Sequence, residues 1–216
     1  GSAVLVGRTV PSDAPQASEQ SPLREGFRLV LRSRAALAGL AVGLLISISN
    51  ELVNIVFGAW LEGGFGLQVA ALGAASAVIG VAELSGEGLV AGLSDRLGKR
   101  RAVALGVMAN AAVCLALQAL GGSLPGALVG LFLFYITFEF ALVSLIPLMS
   151  ELVPAARATT LAASSGSHSA GRALGALAGP VLFAGGLLGG GLMANAVAAA
   201  ALDGLALIVL LAWVHE

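Results

Sequence analysis

Gly92-Leu93-Ser94-Asp95-Arg96-Leu97-Gly98-Lys99-Arg100-Arg101 sets four cations and one carboxylate into a chain that elsewhere carries almost no charge. About twenty-five mostly small, apolar residues run into it and about nineteen run out, so it reads as a tight polar turn between two membrane-length helices. Asp95 is suited to accept hydrogen bonds from free N–H groups at a helix start, where the helix dipole favours an anion. Gly98 allows a sharp turn at positive φ, and Arg96, Lys99, Arg100 and Arg101 hold the turn on an anionic cytoplasmic surface. A basic cytoplasmic turn of the ordinary kind explains the cations but neither Asp95 nor Gly98.

Working outward, 58% of the 216 residues are hydrophobic and 11% charged, against about a quarter charged in soluble domains. Mean hydropathy is +0.97. This is the composition of an all-α polytopic membrane protein, and 30 glycines suit helices that pack backbone to backbone in lipid. The single cysteine, Cys114, lies in an apolar run and forms no intrachain disulfide. The net charge of −1 identifies no partner and gives no sign of nucleic-acid binding. No phosphate-binding Gly-x-x-x-x-Gly-Lys-Ser/Thr loop and no metal-ligand spacing occurs, so no cofactor is expected. No secretory signal precedes the first apolar run. The chain opens without Met, which suggests a piece of something longer.

Residues 1–23 are rich in Ser, Pro, Ala and Gln and read as a flexible linker or tail. Residues 24–34 place Arg24, Arg28, Arg32 and Arg34 around Phe27, Leu29 and Leu31, a basic amphipathic segment for the membrane surface. Residues 35–216 read as a six-helix transmembrane domain with spans at 35–57, 69–93, 102–120, 124–149, 160–187 and 192–214. The connections at 61–68, 121–123 and 189–191 hold no basic residue. Ten of the eleven basic residues therefore fall on one face, Arg172 excepted, and both termini are expected in the cytoplasm.

The order Asp95, Arg96, Gly98, then a cation cluster, resembles the signature loop of the major facilitator superfamily of secondary transporters. There the loop joins the second and third helices of a six-helix half, and Glu87 is expected in its charge network. The family's Gly four residues before the Asp is Ala91 here, with Gly92 one step later. A second family pattern, in the fifth helix, is met by Gly175, Gly179 and Pro180, while Gly185 and Gly186 arrive two residues late. The resemblance implies the C-terminal half of such a transporter: two inverted three-helix repeats that complete a pathway with an N-terminal six-helix half. Gly171, Gly175 and Gly179, four apart, suit close helix approach, and Pro180 suits a bend, either as plain packing or in a transport-linked motion.

Ionisable side chains at mid-membrane cost roughly 2.5 to 3.5 kcal/mol even on a lenient scale, so each must face protein or water. Counting 1.5 Å per residue from the cytoplasmic ends puts Glu83 and Glu139 at about 18 Å, His168 at about 15 Å and Arg172 at about 21 Å. One shared layer predicts that Arg172 pairs with Glu83 or Glu139. This cluster reads either as a proton or substrate site or as a fixed ion pair locking helices together. The resemblance adds Glu51 to the cavity, since it and Glu139 stand on the first helix of each repeat. Asn50 and Asn54, one turn apart, suit either a polar substrate or interhelical hydrogen bonds. Asp203 is expected to face a structural partner, and Trp60 and Trp213 to anchor at the interfaces.

These readings lead to a transporter half in the bacterial inner membrane that works by alternating access on a small molecule, with proton-coupled export as the expected direction. A six-helix binding or scaffold subunit is the alternative. An intramembrane serine protease is a further one, disfavoured because it needs Ser and His on separate helices, whereas His168 shares its helix with Ser165, Ser167 and Ser169 and His215 lies at the extreme end outside the membrane.

Overall fold

The computed structural model describes residues 23–66, 69–185 and 190–214. The tail through Pro22, Gln68 in the first outward connection, Gly186 and Gly189 before the last span, and His215 lie outside the described residues. Among the described residues every regular element is helical. α1 (Leu23–Arg32) buries Gly26 against Thr159 and Val30 in a small core with Ala36, Val153 and Ala156. Ser33 then caps α2 (Arg34–Asn54), its hydroxyl accepting from the Ala36 amide at 3.2 Å. α2 breaks at Ile55 and Val56 and resumes as α3 (Phe57–Phe65).

α4 (Val69–Leu97) and α5 (Lys99–Leu120) differ from expectation at their junction. The ten residues read as a turn are almost all helical: α4 carries on through Asp95 to Leu97, α5 starts at Lys99, and Gly98 alone makes the turn at φ 83°. Left-handed backbone at one glycine suffices to reverse the chain, so the cations occupy the helix ends. α6 (Leu124–Leu152) begins with Ser123 accepting from the Gly126 amide at 3.3 Å. A 3-10 turn (Pro154–Ala156) leads to α7 (Arg157–Phe183), and α8 (Gly191–Trp213) closes the order.

Five of these helical stretches are long and apolar enough to cross a membrane: Arg34–Phe65, Ala75–Ser94, Lys99–Leu120, Leu124–Leu152 and Gly191–Trp213. α7, the fifth span of the sequence reading, is not among them. Its 27 residues suffice in length at 1.5 Å each, but Thr159, Thr160, four serines, His168 and Arg172 lower its hydropathy.

The largest packing faces join α2 to α7 and α8, α6 to α4 and α5, and α5 to α8. α4 and α5, joined by one residue, touch little. Two apolar cores result. One gathers Val53, Leu61, Leu117, Leu131 and Phe134; the other gathers Val42, Ile46, Val107, Leu145, Met149 and Leu210. Asp203 of α8 is fully buried between them, facing inward as expected. Trp60 packs against Phe65 and under Gly121.

Candidate functional site

The site starts from glycine. Gly171, Gly175 and Gly179 are buried along one face of α7, and a methyl group on Gly175 would sit 2.6 Å from Glu51 Cβ and 2.9 Å from the Ile48 carbonyl. At Gly171 it would meet the Leu44 carbonyl at 2.5 Å, and at Gly179 the Ile55 side chain. α2 and α7 therefore touch backbone to backbone, which fixes what faces what beside the seam.

Arg172, next to Gly171, donates from Nε to Glu51 Oε2 at 3.2 Å. This corrects the expected pairing with Glu83 or Glu139. Depth counting placed Glu83, Glu139 and Arg172 in one layer but said nothing of direction around the helix axis, and the glycine seam turns Arg172 toward α2 and Glu51. Glu51 Oε1 accepts from Asn54 Nδ2 at 3.0 Å, and Asn54 Oδ1 accepts from the Tyr135 hydroxyl at 2.6 Å. A chain of polar contacts thus links α7, α2 and α6.

His168 lies one turn before Arg172. Its Nδ1 stands 2.9 Å from Ser47 Oγ and 3.1 Å from the Gly43 carbonyl, and its Nε2 is 3.4 Å from Ser164 Oγ. Gly43 makes room for the ring, since a methyl group there would meet His168 Cε1 at 2.8 Å. Ser47, on a separate helix, does reach this histidine. Yet the Gly43 carbonyl only accepts, so the proton sits on Nδ1 and that nitrogen is no base toward Ser47. Ser47 is itself buried.

These groups border one open cavity of about 480 Å³. Ser47, Asn50 and Asn54 of α2 and Ser164, Ser165, His168, Ser169 and Arg172 of α7 form its polar wall, with Glu83 from α4. Tyr135, Phe138, Glu139, Leu142 and Ile146 of α6 form the other, mostly apolar side. Gly86, one turn from Glu83, lets α4 approach α6, since a methyl group there would sit 2.8 Å from Glu139 Cβ. Asn50 is 6% exposed and its Nδ2 finds no hydrogen-bond partner. Sequence reading missed Tyr135 and Ser47. Tyr135 had a signal, a lone hydroxyl-bearing aromatic one turn before Glu139 on the same face.

Glu87 is exposed, and among the described residues it forms no ion pair. The turn is answered by α6 and α8 instead. Lys99 pairs with Glu151 at the end of α6, and Arg100 Nη2 donates to the Leu211 carbonyl at 2.7 Å, because α5 packs on those two helices and hardly on α4. Arg96 and Arg101 are exposed, as is Gly92, and the Asp95 side chain lies outside the described residues. Pro180 sits inside α7 directly after Gly179, level with the break in α2.

A model of the Major Facilitator Superfamily matches residues 2–180, which include every residue lining the cavity. No curated protein and no solved structure matches the chain. The match spans well over half the sequence, and the chain belongs to the Major Facilitator Superfamily of membrane transporters.

Proposed function

We propose that the chain is the C-terminal six-helix half of a secondary active transporter, which exports a small molecule against entering protons when joined to an N-terminal six-helix half. The observation that carries this reading is the cavity of about 480 Å³ with Glu83, Glu139, His168 and Arg172 on its walls, Arg172 being paired to the buried Glu51 behind it. Carboxylates at this depth are costly unless they face water or a partner. A proton on Glu139, which stands on the mostly apolar α6 wall, lowers the cost of closing the cavity around it. The proton and the substrate then compete for one site, and alternating access moves them in opposite directions.

Two further features support the half-transporter architecture. α7 supplies much of the polar wall, so its low hydropathy suits a cavity-lining fifth span that brings the number of spans to six. Counting α2 with α3 as the first span, exchange of the first three spans with the last three maps α2–α7 onto α6–α4 and α5–α6 onto α8–α2. The α5–α8 face maps onto itself, so the five largest packing faces are preserved. Two three-helix repeats, inverted in this reading, account for that exchange. The reading places the protein in a bacterial inner membrane with both termini in the cytoplasm, from the distribution of its cations.

The test joins the chain to its N-terminal half in proteoliposomes holding a pH-sensitive dye, with a panel of cationic, anionic and neutral compounds. Addition of a transported compound is expected to release protons from an imposed gradient, and Glu139→Gln to abolish that release while the protein still folds. Proton movement unchanged in the variant overturns the coupling. Saturable binding without movement of any compound, in any pairing of halves, makes the chain a scaffold instead.

A further inference from the structure

We infer that the cavity selects a lipophilic organic cation, which rests on the proposed transport reading and names its substrate class. The argument is one of charge. Arg172 lines the cavity and is countered at 3.2 Å by Glu51, which is buried behind it, so one cation of the wall is already matched by a carboxylate. Glu83 and Glu139 remain, on α4 and α6, and neither has an ion-pair partner among the described residues. His168 Nδ1 is held by the Gly43 carbonyl and Ser47, so the ring is engaged by its own bundle. Two carboxylates facing one space favour a positive guest, and an anion entering there would be repelled by both.

The walls set the rest of the class. Phe138, Leu142 and Ile146 offer apolar area on the same wall as Glu139, and the aromatic ring of Phe138 suits a poorly hydrated cation. A volume of about 480 Å³ lies in the range of drug-sized pockets and far above that of a bare metal ion. Asn50 supplies an independent sign that a ligand completes the site. It borders the cavity, is more than nine-tenths buried, and its amide nitrogen has no partner in the protein, so an acceptor on the guest would satisfy it. An oxygen or ring-nitrogen acceptor on the cation therefore adds to its binding.

Tetraphenylphosphonium and tetraphenylborate, nearly equal in shape and opposite in charge, test this when titrated separately into the purified chain in nanodiscs. Saturable binding of the cation alone is expected. Glu139→Gln should weaken it at least tenfold with unfolding temperature preserved, and Glu139→Asp should restore most of the loss. Glu83→Gln serves as the second variant should the first prove unstable. Asn50→Leu should weaken quinine, whose oxygens accept, more than tetraphenylphosphonium, which has no acceptor; equal effects remove the acceptor from the class. Borate binding as tightly as the phosphonium, no saturable cation binding, or indifference to both glutamate substitutions overturns the inference. Transport of an anion alone would sink the substrate class and leave the transporter reading standing. Cation binding without movement of any compound would do the reverse.

Discussion

Glu51 is the residue on which the polar chain turns. Its carboxylate is 7% exposed and takes hydrogen bonds from Arg172 and Asn54, whereas the Arg172 side chain is 66% exposed. The two partners are therefore not equivalent. Removing the guanidinium leaves a buried carboxylate short of its counter-charge, while removing the carboxylate frees an arginine that water can solvate. Arg172→Ala should thus destabilise the bundle by roughly 1–3 kcal/mol. The double variant Glu51→Gln with Arg172→Ala should recover part of that loss, as read by unfolding in a denaturant titration. A double variant less stable than Arg172→Ala would show that the pair contributes net stability and is no burial cost. Sequence alone made Glu83, Glu139, His168 and Arg172 legible as intramembrane groups at one depth, because depth follows from residue count along a helix, and Glu51 entered through the family resemblance. Which carboxylate met Arg172 was not legible, since that depends on rotation about the axis and on the neighbour chosen.

At the scale of helices, the α2–α7 seam shows what small residues accomplish. The spacing of Gly171, Gly175 and Gly179 announced a close approach, and the structure sets all three against α2. Gly175→Ala must move two backbones apart and should cost about 1–3 kcal/mol. Gly204→Ala in α8, where nothing lies within 4 Å, should be neutral or stabilise by up to about 1 kcal/mol. Thermal unfolding of the two variants side by side checks this; equal losses would mean that helix propensity and not contact governs both. The break in α2 after Asn54 was illegible, for neither Ile55 nor Val56 is a helix breaker. Its compensation lies on another element. The Val56 amide turns back to the Val53 carbonyl, and Asn195 of α8 donates to the carbonyls of Leu52 at 2.6 Å and Gly179 at 2.9 Å. Asn195 ties the ends of α2 and α7 together across the bundle. Asn195→Leu leaves both carbonyls to find other partners and should cost about 1–2 kcal/mol, with loosening confined to the α3 side by hydrogen exchange. Uniform loosening of all helices would deny Asn195 that local role.

For the whole molecule, the distribution of charge and the polar face of α7 make a joint claim about what is wet and from which side. Lys99, Arg100 and Arg101 at the start of α5, Glu151 at the end of α6 and the last carbonyls of α8 gather at one end of the bundle. Gly121 and Gly122 turn the chain at the other end. Ser165 and Ser169 are exposed on the cavity wall. Cationic ends stay in the cytoplasm because translocating them is costly, so the end bearing Arg101 should be cytoplasmic. Labelling with a membrane-impermeant maleimide decides this once Cys114, fully buried, is replaced by Ala. In that background Arg101→Cys should react only in inside-out vesicles and Gly122→Cys only in intact cells. Ser165→Cys reports on the cavity itself. In the joined transporter it should label from the cytoplasmic side in the inward-open state and be shielded by bound tetraphenylphosphonium. Reaction of the Arg101→Cys variant from outside the cell would invert the topology. Failure of Ser165→Cys to react from either side would mean that α7 lines no aqueous path and that its serines serve only to pack helices.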